Sequence, residues 1–234
     1  MIPIFIIISL ILLFVFLILG TNLLLKKNNH HRLINTIFAS IILILHTCDI
    51  IFSAIEGNGL NLKNVTPISN ISPFIFTIIA LTIFLPCRIN KYIYKYIAIF
   101  QWALFIAAFY VPIAALIKQD STYFSFAIFD SVAHIVTAAF CYYLRKTKQV
   151  DVSFKEFGYI SLITSSLVVV VIIINLICHT NFFGLNFYGN HNIYGSVIVE
   201  DGFLSAFIYL SGLALALWSG YFLYLKTTFL YIEK

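Results

Sequence analysis

The chain has 234 residues, 62% of them hydrophobic and only 10% charged, with a mean hydropathy of +1.01 and a formal net charge of +5. No water-soluble core needs that much apolar surface, so lipid is its solvent and a soluble enzyme or carrier is excluded. Its Lys and Arg form no dense stripe, which removes nucleic acid as a partner for the positive charge.

Seven apolar stretches, at roughly 3–25, 33–55, 67–86, 96–117, 123–144, 159–178 and 202–225, each approach the ~20 residues that cross a bilayer. The first lacks a basic leader and a small-residue cleavage site, so it is expected to remain as a helix. Twelve of the fourteen basic residues lie in alternate gaps. Lys26, Lys27 and Arg32 follow the first stretch, and Arg88, Lys91 and Lys95 the third. Arg145, Lys146, Lys148 and Lys155 follow the fifth, while Lys226 and Lys234 follow the last. The intervening gaps hold only Lys63 and Lys118. Basic residues resist translocation. The expected fold is therefore an all-α, seven-transmembrane helix bundle, a single polytopic domain in the cell membrane with its N-terminus outside and its C-terminus in the cytoplasm. Tyr92, Tyr94, Tyr96, Tyr142, Tyr143, Tyr221 and Tyr224 then form an aromatic belt at the cytoplasmic surface. His30 and His31 fall in a solvated basic loop. Pro86 helps to end the third span, and Pro112 is expected to kink the fourth. The stretch 179–201 reads as an external loop folded back on the bundle, and Glu200 with Asp201 caps the seventh helix.

Ionisable groups inside a bilayer are costly and mark functional positions by default. The second span carries His46 and Asp49 at i,i+3, and the fifth carries Asp130 and His134 at i,i+4, each pair on one helical face. With a rise of about 1.5 Å per residue, His46 lies ~10 Å below the external surface, Asp130 at a similar depth and His134 nearer the midplane. Asn175 of the sixth span and Ser69 and Asn70 of the third reach the same layer. Two readings of this layer compete: a polar pocket, or His–Asp pairs that only lock helix packing. Two pairs at one level, joined by Ser and Asn from other spans, favour the pocket. Gln101, Thr164, Ser165 and Ser166 read as interhelical hydrogen-bonders. The four cysteines, Cys48, Cys87, Cys141 and Cys178, have no C-x-x-C spacing and read as buried free thiols. No closely spaced Cys/His set and no Gly-rich phosphate loop occurs, so neither a metal nor another cofactor is expected.

Four segments, in order, carry a resemblance: HRLINTIFASIILILHTCDIIFSAIEG, NVTPISNISPFIF, FAIFDSVAHIVTAAFCYYL and NLICHTNFFGL. Together they resemble the YwaF-like bacterial seven-span family, relatives of the eukaryotic ether-phospholipid acyltransferase that uses a cysteine nucleophile. The second segment is similar to a family motif of the form L-P-L-H-L-C-N-I-S. The third places His134 on the family histidine, and the fourth puts Thr180, Asn181 and Phe182 in register with a T-N-Y stretch. Aligned on NIS, Ser69 takes the place of the nucleophilic cysteine and Pro67 that of the motif histidine. Aligned on proline, Ser69 falls on the histidine and Ile71 on the cysteine.

The resemblance implies a membrane lipid acyltransferase or acyl hydrolase, with Ser69 as nucleophile, His134 as base and Asp130 or Asp49 orienting it. Asn175 or Asn181 would donate to an oxyanion, and His46, Asp49, Asn175 and Asn181 would line the substrate site. Membrane lipids are the implied partner; a homo-oligomer or a partner subunit is left open. Two alternatives stand beside it. One is a catalytically inactive relative that binds lipid or a partner. The other is a transport subunit for a small solute or proton that uses His46, Asp49, Asp130 and His134 as a relay. Against transport stand the missing internal repeat and the lack of paired, Gly-interrupted helices.

Overall fold

The computed structural model of the chain describes residues 2–27, 30–56, 71–110, 112–113, 124–178, 182, 185 and 202–227. Among them are the helices α1 (Ile2–Lys27), α2 (His31–Glu56), α3 (Ile71–Leu81), α4 (Cys87–Ile99), α5 (Gln101–Ala107), α6 (Phe124–Lys146), α7 (Phe154–Cys178) and α8 (Gly202–Lys226). Four of these, α1, α2, α7 and α8, are long and apolar enough to cross a bilayer, the mark of a multi-pass membrane protein. Their outward faces carry large apolar side chains, among them Phe5 and Phe16 on α1, Ile44 on α2, Leu162 and Ile177 on α7, and Leu215 on α8. Water would not tolerate such a surface, whereas lipid chains cover it.

The helix α6 is as long as these but richer in polar groups, and it sits in the middle. It packs against α1, α2, α3, α4 and α5. From Ala133 to Arg145 every residue except Tyr142 is buried. Ser131, His134, Thr137 and Arg145 of this helix are buried against protein, where His134, Thr137 and Arg145 find hydrogen-bond partners and, among the described residues, Ser131 Oγ does not. Phe38 of α2 stacks on Phe140 with ring centroids 5.1 Å apart, and Tyr94 of α4 meets Phe140 edge-on at 5.6 Å.

The third and fourth apolar stretches differ from simple spans. Regular helix in the third covers Ile71–Leu81, then tightens into a turn in which Thr82, Ile83 and Phe84 bond to carbonyls three residues back. Pro86, extended at φ −61° and ψ 146°, opens α4, so that helix starts nine residues before the expected 96. The fourth stretch breaks at Phe100, where ψ is 1°, and turns again at Ala108 and Phe109. These breaks precede Pro112, the expected kink. Beside the first of them, a methyl group on Gly220 of α8 would overlap the Ile99 carbonyl oxygen. Backbone there cannot retreat cheaply, so a small residue is required for α4 and α8 to approach. Gly220→Ala is expected to destabilise the protein by about 1–3 kcal/mol. Thermal unfolding in detergent measures it, with Gly212→Ala, where a methyl meets open space, as the comparison.

The end of the bundle that carries the basic residues is a built interior rather than a belt. The start of α2, the start of α4, the end of α6, the start of α7 and the end of α8 meet there. His31 Nδ1 bonds Tyr143 Oη at 2.9 Å, and Asn35 Nδ2 donates to Gln149 Oε1 at 2.8 Å. His31 therefore begins a helix and is half-buried, not part of a solvated loop. Tyr94, Tyr96, Tyr143, Tyr221 and Tyr224 are all buried, and only Tyr92 has the exposure of a belt residue. Arg145 is 5% exposed. Its guanidinium donates to Gln101 Oε1 at 3.2 Å and to the Tyr224 carbonyl at 2.6 Å, and lies 4.2 Å from the Tyr224 ring centre. Glu156 pairs with Lys95 and closes a capping box at the start of α7, its carboxylate accepting from the Ser153 N–H at 2.9 Å.

Of the expected interhelical bonders, Gln101 meets Arg145, and the Thr164 hydroxyl lies 3.2 Å from Tyr96 Oη. Ser165 and Ser166 are exposed on the outer side of α7. All four cysteines are free, but only Cys141 is fully buried; Cys87 and Cys178 are exposed at helix ends.

Candidate active site

At the end of the bundle away from the basic residues, α3 and α6 place a serine, a histidine and an aspartate in sequence. His134 on α6 is 3% exposed. Its Nδ1 lies 2.8 Å from the main-chain carbonyl of Asp130, one turn earlier on the same helix. A carbonyl only accepts, so Nδ1 carries the proton, and in the singly protonated ring Nε2 is then an acceptor. Ser72 Oγ sits 2.8 Å from that Nε2 and donates to it. The Asp130 carboxylate is 3.4 Å from Nδ1, close enough to stabilise an imidazolium. This is the polarity of a general base poised to take a hydroxyl proton.

Ser72 follows Ile71, the first described residue of α3. It also lines an apolar groove of about 230 Å³ between α3, α5 and α8, whose walls include Ile75, Leu104, Ala107, Gly212 and Leu213. Ser72 thus borders a hydrocarbon-lined slot while its hydroxyl meets an imidazole.

The aromatic ring of Phe76, one turn below Ser72, packs edge-on against His134 at 5.0 Å and against His46 of α2 at 5.6 Å. Among the described residues, His46 Nδ1 is buried without a hydrogen-bond partner. Asp130 lies near enough to act electrostatically on both His46 and Asp49. The two His–Asp pairs therefore do belong to one neighbourhood. Asn175 is placed differently: its amide donates to the carbonyls of Phe182 at 2.9 Å and Leu185 at 3.2 Å, and its carbonyl accepts from the Phe182 N–H at 2.8 Å. It fastens the chain that follows α7 against the bundle. Ser69, Asn70 and Asn181 lie outside the described residues.

Ser72 is the residue that sequence reasoning passed over. It is the serine of the NIS triplet, three residues beyond Ser69 in the sequence. The signal was the triplet itself.

No protein-family model matches this chain, and no curated protein or solved structure is detectably similar to it.

Proposed function

We propose that this protein is a membrane-embedded serine acyl hydrolase or acyltransferase that acts on lipid esters. The observation that carries the reading is the Ser72–His134 bond of 2.8 Å with Nδ1 held by Asp130, beside an apolar groove. An acyl chain lies in the groove, and its ester carbonyl reaches Ser72. Oγ attacks the carbonyl carbon while its proton passes to His134 Nε2. The tetrahedral intermediate collapses, the ester C–O bond breaks, and the departing alcohol takes the proton from His134. Water or a second alcohol then attacks the acyl-serine and gives its proton to His134 Nε2; the acyl C–Oγ bond breaks, and that proton returns to Ser72 Oγ. Seven spans, with the basic helix ends in the cytoplasm and Ser72 in the outer half of the cell membrane, complete the proposal. The gathering of those basic ends at one end of the bundle supports that orientation.

Transport through a histidine relay is less well supported, since Phe76 packs an apolar ring against both imidazoles. A fluorophosphonate probe tests the proposal on the intact protein in detergent. Ser72 Oγ should displace fluoride from phosphorus, and peptide mass spectrometry should find the adduct on Ser72, absent in His134→Ala. An unlabelled Ser72, or labelling indifferent to His134, would overturn the nucleophile assignment and leave a lipid-binding protein.

A further inference from the structure

The groove beside Ser72 has a direction. Arg145 holds Gln101, at the start of α5, and Tyr224, near the end of α8, at the basic end of the bundle. Thr82, just after α3, shares a cavity with Arg32 at that same end. So α3 and α8 run toward the basic residues, and α5 runs away from them. Of the groove's walls, Ser72, Ala107 and Tyr209 therefore lie toward the far end, and Phe100 and Ala216 toward the basic end. From Tyr209 to Ala216 the helix rises about 10 Å. Ser72 thus stands near one end of a slot.

The slot exists because side chains are missing. On α5 its wall is Ala103 and Ala107, and on α8 it is Gly212 and Ala216, each pair at i,i+4 and so along one face. The larger lining residues Ile75, Phe100, Leu104 and Leu213 are buried in the core behind it. Among the described residues, no charged side chain lines it. About two turns beyond Gly212 on α8, a Cβ on Gly220 would strike the Ile99 carbonyl oxygen, whereas a Cβ on Gly212 meets nothing within 4 Å. At Gly220, then, α8 touches the end of α4, and at Gly212 it stands clear of its neighbours. Gly212 is also exposed, so the slot is reached sideways from the bilayer.

An apolar slot with a nucleophile near one end and a lateral opening suits an unbranched hydrocarbon chain. Resting on the reading of Ser72 as nucleophile, we propose that Gly212 and Ala216 are the specificity-determining residues of this site. The room left by their small size makes it prefer esters of longer acyl chains to short ones. With the carbonyl at Ser72, the chain runs toward the basic end past Gly212 and Ala216. Bulk at either position removes room from the chain rather than from the reacting end.

The test treats full-length protein in detergent with butyl and octyl fluorophosphonates, and peptide mass spectrometry follows the rate at which each modifies Ser72. In both, the Oγ–P bond forms, the P–F bond breaks and the hydroxyl proton passes to His134, so only the chain differs. The octyl probe should react at least about tenfold faster in the unaltered protein. Gly212→Leu and Ala216→Leu should each lower this octyl-to-butyl ratio about tenfold. Gly158→Leu also puts leucine at a helical glycine with open space around it, but on α7 and outside the slot, and should keep the ratio. Partition into the micelle is common to all four proteins and cancels between their ratios. A lower ratio in either slot variant, with Gly158→Leu unchanged, supports the assignment. It fails if the unaltered protein shows no chain preference, if both probes lose rate together in both slot variants, or if Gly158→Leu lowers the ratio as much. Those results would leave Ser72 as the nucleophile and remove only its chain selection. Modification of Ser72 by neither probe in the unaltered protein would overturn both.

Discussion

Replacing Ser72 by alanine is expected to reduce acyl release or transfer from a chain-labelled phospholipid by ~10³-fold or more in the reconstituted protein. His134→Ala should cost about as much, and the double variant should be little worse than either, because the two groups act as one unit. Asp130→Asn separates this arrangement from triads in which a carboxylate alone holds the imidazole. Here the main-chain carbonyl of Asp130 orients Nδ1 at 2.8 Å, and the carboxylate stands off at 3.4 Å. The substitution removes a charge but keeps the tautomer, so the loss should be only about ten- to a hundredfold. Ser69→Ala should leave most activity in place. A Ser72→Ala protein that turns over lipid at the wild-type rate would sink the assignment.

The largest effect on stability is expected at Arg145. Truncation to alanine strips donors from Gln101 Oε1 and the Tyr224 carbonyl, removes the guanidinium from the Tyr224 ring, and opens a void among buried side chains. Unsatisfied buried acceptors and the cavity together should cost on the order of 3–5 kcal/mol. Arg145→Lys keeps the charge but loses the planar fork, and should cost less. Lys148→Ala, in the solvated turn nearby, should lie within about 0.5 kcal/mol of wild type. Thermal unfolding followed by the fluorescence of Trp102 and Trp218 measures all three. Equal melting of Arg145→Ala and Lys148→Ala would show that Arg145 is only a topology signal.

Arg145 also shows where reading from the sequence stops. Its position near the end of an apolar stretch marks it as a charge that stays on one side of the membrane. Nothing in that position distinguishes an arginine in the headgroup layer from one folded inward against α5 and α8. The tyrosines behave alike: belt composition is the same whether the rings face lipid or each other, and five of the seven are buried. His134 and Asp130 were legible because helical spacing fixes their common face whatever the tertiary packing. Their partner serine was not, since the phase and starting point of α3 relative to α6 depend on how two helices from distant parts of the chain approach.

The sequence by itself determined that this is a helical membrane protein, through long apolar stretches that only lipid can solvate and whose backbone must bond internally. It also put His46 with Asp49, and Asp130 with His134, each on one helical face. Only the tertiary structure decided that α6 is the central helix, that α3 ends at Leu81 and α4 starts early, and that Ser72 meets His134. The physical reason is that a lipid tail is as apolar as leucine, so hydropathy separates membrane from water but does not separate a face that packs on protein from one that packs on lipid. Shape, the break at Phe100, the bare backbone at Gly220 and the need to satisfy buried polar groups make that choice.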